Sequence, residues 1–207
     1  MMDTNRFQLD FKHLLTSGWF NLSILLIILL TQALEPISGD FLGFRREEIS
    51  NGEFWRLFTG QLVHTNLNHA LLNGSGLLLI MLSFQYEQNY KFDIPCFLLC
   101  ALFVGLGIYF FVPTIGWYKG LSGILHGYFI YYLFASIRST PKMAIAALIV
   151  ITGKVVWEQT PFADLSSTED LIESRIAIES HLSGAIAGYI FGIIYFFQLQ
   201  KKEVNQD

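Results

Sequence analysis

Long apolar runs interrupted by isolated charges dominate the chain, and the intervals between those charges set the first expectation. Crossing the roughly 30 Å apolar core of a bilayer takes about 20 residues of helix. Six intervals approach that length: 14–34, 70–86, 94–112, 121–137, 143–157 and 181–200. The first holds the dense stretch Ile24 to Leu30. Its leader contains Asp3 and Asp10 as well as Arg6 and Lys12, and no small-residue cleavage pattern follows Leu34, so it reads as a permanent span and not a cleaved signal. The pattern predicts an all-α polytopic membrane protein, a bundle of six transmembrane helices in a single domain over residues 1–207. Two connecting segments are long, Glu35 to about Asn68 and Gln159 to about Ser180. The second is acidic, with Asp164, Glu169, Asp170, Glu173 and Glu179 against Arg175, and is expected to form a mobile cover.

Placement of Lys and Arg orients the bundle. With the N-terminus inside, the cytoplasmic segments hold Arg6, Lys12, Lys91, Arg138, Lys142, Lys201 and Lys202. The outer ones hold Arg45, Arg46, Arg56, Lys119 and Arg175, and Lys154 falls within the fifth span. Both termini are therefore expected in the cytoplasm.

Composition agrees with the periodicity. The 207 residues are 53% hydrophobic and 14% charged, with a mean hydropathy of +0.46, whereas soluble domains carry about 25% charged residues. The net charge of −4 comes without a basic block, which excludes the electrostatic footprint of a nucleic-acid binder. Cys96 and Cys100 lie four apart in an apolar run and read as small reduced hydrophobes.

Polar side chains inside spans are expensive and mark candidate sites. His69 with Asn73, and Ser122 with His126, are each four apart and so share a helix face. Spans two, four and six run in one direction, which delivers His69, Ser122 and His181 to one depth near the outer surface. Gly184, Gly188 and Gly192 follow His181 at every fourth residue, and Gly123 and Gly127 flank Ser122 and His126. Small residues at such spacing let helix backbones approach closely in lipid. Close approach would bring His181 within hydrogen-bond reach of Ser122, as a base activating a nucleophile requires. His69, Asn73 and the Ser122 amide could then polarise a carbonyl. No carboxylate stands out to orient the imidazole, which leaves that task to helix packing. Lys154 and Glu158, at i and i+4, read most simply as a mutually neutralising pair, with lining of a substrate path as the other reading.

These residues resemble the rhomboid intramembrane serine proteases, and within them the branch called rhombosortase. Trp55-Arg56 is similar to the tryptophan-arginine pair of the rhomboid first outer loop. The stretch from His64 to Asn73 has that family's two histidines and asparagine, Gly120-Leu121-Ser122-Gly123 its nucleophile motif, and His181 with Gly184 and Gly188 its base and glycine strip. His126 stands where most rhomboids have tyrosine, and this substitution points to the rhombosortase pattern Gly-x-Ser-Gly-x-x-His. The resemblance implies a six-helix fold, Ser122 as nucleophile, His181 as general base and acid, and His69 and Asn73 as oxyanion contacts. His64 would be a loop histidine positioning the entrance, and His126 would pack on His181 or join proton transfer. It implies no cofactor and no metal. The implied substrates are exported bacterial proteins anchored by a C-terminal tail with a Gly-Gly segment, one membrane helix and a short basic end. They would be cleaved at the outer face of the inner membrane, with water or another acceptor taking the acyl group. Three other readings remain: an inactive rhomboid-like binder of membrane helices, a haem or metal protein ligated by His64, His69, His126 and His181, and a transporter coupled through Lys154 and Glu158.

Overall fold

A computed structural model describes residues 10–204. Asp3 and Arg6, counted above for leader and orientation, and residues 205–207 lie outside this range. Six long helices organise the chain: α1 (Trp19–Ala33), α2 (Leu67–Ser83), α3 (Tyr90–Phe111), α4 (Ser122–Ser136), α5 (Pro141–Glu158) and α6 (Ile178–Val204). They correspond in order to the six expected intervals, with shifted ends. The leader forms its own short helix, Phe11–Ser17, capped by Asp10 and separated from α1 by Gly18. α2 begins at Leu67, earlier than expected, because the Asn66 side chain accepts a bond from the His69 amide and supplies the N-cap. By length and composition, α3 and residues 178–198 of α6 are long and apolar enough to cross a bilayer; α1 and α2 are shorter apolar helices.

α4 is the central helix. Ile124, Tyr128, Ile130, Tyr131 and Tyr132 on it are wholly buried, as expected of a helix apolar on all sides. α6 packs along α4 through glycines. A methyl group added to Gly184 would land on the Gly123 carbonyl oxygen, and one on Gly188 on the Gly127 carbonyl oxygen. Gly192, the third member of the expected strip, faces the Phe134 ring instead. The peripheral helices turn apolar side chains outward, among them Leu29 on α1, Leu79 on α2 and Val150 on α5. A surface of that kind suits lipid.

The segment between α1 and α2 is held by bonds to other parts of the chain. It contains the short helices Ile37–Leu42, Arg46–Ser50 and Arg56–Thr59. Strand β1 (Phe44–Arg45) pairs antiparallel with β2 (Trp117–Tyr118), Phe44 opposite Tyr118. Arg46 donates to the carbonyls of Ile108, Tyr109, Val112 and Ile115, gathering acceptors from the last turn of α3 and from the segment that follows it. Arg56 donates to the Asp40 and Gly43 carbonyls and pairs with Glu53 at 2.5 Å, while Trp55 Nε1 donates to the Phe41 carbonyl. The Trp55-Arg56 pair thus ties this segment together.

Candidate active site

The nucleophile candidate sits on a turn fixed from three sides. Gly120 has φ of +127°, a value that only glycine adopts without strain. Its amide donates to the Gly60 carbonyl at 3.3 Å, and its carbonyl accepts from the buried Tyr118 hydroxyl at 2.6 Å. Burial pushes that phenol up to about 12, so it remains a donor. The intervening Lys119 pairs with Glu35 at 2.7 Å. From this turn Ser122 starts α4.

Three elements meet there. His181 lies in the first turn of α6, its backbone drawn toward α4 by the glycine contacts, and its Nε2 is 2.9 Å from Ser122 Oγ. Its Nδ1 is 2.9 Å from Glu158 Oε2, which corrects the expectation that no carboxylate is placed to orient the ring. α5 runs opposite to α4 and α6, so its last residue reaches the layer of their first turns. Glu158 is only 2% exposed and also pairs with Lys154 at 2.7 Å. The expected neutralising pair therefore exists, and its carboxylate serves histidine as well.

His126 stacks on His181, with ring centroids 4.1 Å apart and planes at 20°. Its Nδ1 meets the Ser122 carbonyl oxygen at 2.7 Å, and its Nε2 meets Lys154 Nζ at 2.6 Å. Donor atoms of His126, Glu158 and His181 lie within 4.8 Å of one another, the arrangement among the described residues able to hold a metal ion. The Lys154 ammonium is bonded to two of those three residues, where a bound cation would sit.

On the opposite side, Gly120 faces His69 and Asn73. A methyl on Gly120 would stand 2.7 Å from His69 Nε2 and 3.6 Å from Asn73 Nδ2, so the absent side chain leaves room for a small group between the turn and these nitrogens. Asn73 Nδ2 is buried without a partner, a donor available to such a group. His69 Nδ1 is 3.0 Å from the Thr65 hydroxyl, which in turn donates to the Ile172 carbonyl at 2.8 Å. A hydroxyl has one proton. Spent on Ile172, it obliges Thr65 to accept from His69 Nδ1–H, leaving a lone pair on Nε2. His64, the loop histidine expected to position the entrance, lies just before α2, wholly buried and packed edge-on against His69 at 5.0 Å. Burial, with His69 and Lys119 adding smaller effects, holds its imidazole down at about 3.

Ser122, His181, His69, Asn73, His126, Lys154 and Glu158 all line one cavity of about 330 Å³. Another part of its wall comes from the segment between α5 and α6, where the helix Ser166–Ile172 contributes Thr168 and Ile172, followed by Arg175 and Ile176. That segment is fastened to the start of α2: besides Thr65, Asn66 and Asn68 both donate to the Leu171 carbonyl at 3.3 Å. Sequence reasoning overlooked Thr65 and Tyr118. The signal for Thr65 was its place four residues before His69, at the threshold of the helix.

Comparison with known proteins agrees with this geometry. Residues 51–198 match the Rhomboid domain family. The chain is also 26% identical over 155 residues to a Bacillus subtilis (strain 168) protein named "Putative rhomboid protease YdcA", covering 75% of this chain and 72% of that one. Family and relative alike point to a membrane-embedded peptidase. On the strength of the domain match, which runs from the segment before α2 nearly to the end of α6, the chain belongs to the rhomboid family.

Proposed function

We propose that the protein is an intramembrane serine endopeptidase, with Ser122 as nucleophile and His181 as general base and acid. The observation that carries this reading is the 2.9 Å contact between Ser122 Oγ and His181 Nε2 inside a cavity at the ends of three apolar helices. Ser122 Oγ attacks the scissile carbonyl carbon while His181 Nε2 takes the hydroxyl proton. The resulting oxyanion lies against Asn73 Nδ2, the Ser122 amide and His69 Nε2. Collapse breaks the C–N bond, the amine leaves with the proton from His181, and an acyl-serine remains. Water, deprotonated by the same histidine, or an amine acceptor then attacks the ester and restores the serine.

For His69 to donate, its proton must be on Nε2, and Thr65 must turn its hydroxyl from the Ile172 carbonyl to His69 Nδ1. Lifting of the 159–180 segment supplies that change. Substrate entry and completion of the oxyanion contacts are then one event.

All six long helices span the membrane in this reading, with both termini cytoplasmic and the cavity near the outer face of a bacterial inner membrane. The His126 substitution supports a reading in the rhombosortase branch, whose substrates are exported proteins with a Gly-Gly-containing tail, a membrane helix and a basic end. The test is a secreted reporter carrying such a tail, co-expressed with the protein. Release by wild type, none by Ser122→Ala and none when the Gly-Gly pair becomes Leu-Leu supports the assignment. Release of the Leu-Leu reporter at the wild-type rate contradicts the substrate class, and release by Ser122→Ala contradicts the mechanism.

A further inference from the structure

Resting on that reading of Ser122 and His181, we infer that Glu158 is the positioning acid of a Ser122–His181–Glu158 triad, and that Lys154, braced by His126, holds its carboxylate in place. One assignment of protons satisfies every contact. A carbonyl oxygen only accepts, so His126 Nδ1 donates to Ser122 O at 2.7 Å, leaving its Nε2 to accept from Lys154 Nζ at 2.6 Å. The ammonium donates a second proton to Glu158 Oε1 at 2.7 Å. Glu158 Oε2 accepts from His181 Nδ1–H at 2.9 Å, which puts the His181 lone pair on Nε2, facing the Ser122 hydroxyl. That is the tautomer a general base needs. The chain of contacts closes on the serine from which it began, through its hydroxyl on one side and its carbonyl on the other.

The placement of Glu158 is costly in itself. A buried carboxylate loses hydration, and the last residue of a helix sits at the negative pole of the helix dipole, where an acid is disfavoured. Lys154, one turn earlier and partly exposed, offsets part of that cost. His181 has the complementary difficulty: it lies at the positive, N-terminal pole of α6, where the imidazolium formed during serine attack is disfavoured. Glu158 supplies the compensating charge, so the two unfavourable positions are resolved by one contact. Lys154 and Glu158 thereby act on the reaction through His181.

The test uses a fluorophosphonate probe on detergent-solubilised full-length protein, separating the maximal labelling rate from the concentration giving half that rate. Glu158→Gln is expected to lower the maximal rate by about 10⁴-fold, the size of a lost triad acid, with little change in half-saturation. The amide can donate to His181 Nδ1 and so favour the wrong tautomer. Glu158→Asp, keeping the charge, should recover part of the rate, and Lys154→Met should fall between. Because a lone buried charge can impair folding, the double variant Lys154→Met/Glu158→Gln removes both charges. It should fold and still label slowly. Wild-type labelling by a folded Glu158→Gln or by the double variant would overturn the triad while leaving Ser122 and His181 in their roles. Failure of the wild type itself to label at Ser122 would instead strike at the underlying reading.

Discussion

Glu158 Oε2 and His181 Nδ1 stand 2.9 Å apart although 23 residues and a helix reversal separate them. The contact exists because α5 ends, and α6 begins, in the same layer as the start of α4. The packing of α6 on α4 sets that layer, and the glycines set the packing.

The first expectation concerns those glycines. Gly184→Leu and Gly188→Leu would drive side chains into the carbonyls of Gly123 and Gly127, separating His181 from Ser122. Both variants should lose turnover and melt at lower temperature. Gly153→Leu on α5, where an added Cβ meets nothing within 4 Å, should keep both properties. Equal activity in all three would refute the close-packing argument.

Asn73→Ala should reduce the turnover number by about 10²–10³-fold, the usual cost of one oxyanion donor, and leave measurable activity. Its Nδ2 has no partner to lose in the resting protein, so stability should change little. A large fall in melting temperature with an unchanged turnover number would reassign Asn73 to a structural role.

The 159–180 segment is expected to move during turnover. A disulfide between cysteines at Asn68 and Leu171, whose side-chain amide and carbonyl already meet at 3.3 Å, should pin it over the cavity. Turnover of a membrane-anchored protein should stop under oxidation and return on reduction. Unchanged turnover in the oxidised form would show that substrate enters elsewhere.

His64 predicts a pH dependence of stability. Its imidazole titrates at about 3 in the folded protein, against 6.5 unfolded, so between those values the unfolded chain binds the extra proton. Stability contributed by neutral His64 is present above pH 6.5 and lost as pH falls toward 3. His64→Phe should flatten that decline in thermal melts between pH 6.5 and 3. Parallel curves for the two proteins would exclude His64 as a source.

Much of the site was legible because helix periodicity and span direction are one-dimensional properties. They brought Ser122, His126, His181, His69 and Asn73 to one depth before any coordinates. Glu158 was legible only together with Lys154, as a neutralising pair or a lining of a substrate path, since i, i+4 spacing is local and its bond to His181 depends on where α5 stops against α6. Thr65 escaped for the same reason: its significance comes from Ile172, 107 residues away. In the fold, the α2 boundary moved because a single cap, Asn66, outweighs hydropathy at a helix end. The segment before α2 resisted reading because its helices are four to six residues long. Such short helices are marginal without tertiary bonds, here the side-chain ties of Arg46, Trp55 and Arg56.

The central claim is that His181 activates Ser122, and mapping fluorophosphonate attachment on detergent-solubilised protein by mass spectrometry tests it most directly. Wild-type protein should carry the phosphonyl group on Ser122, whereas Ser122→Ala and His181→Ala, both folded, should carry none. Attachment to another residue, or undiminished labelling of Ser122 in His181→Ala, would contradict the account.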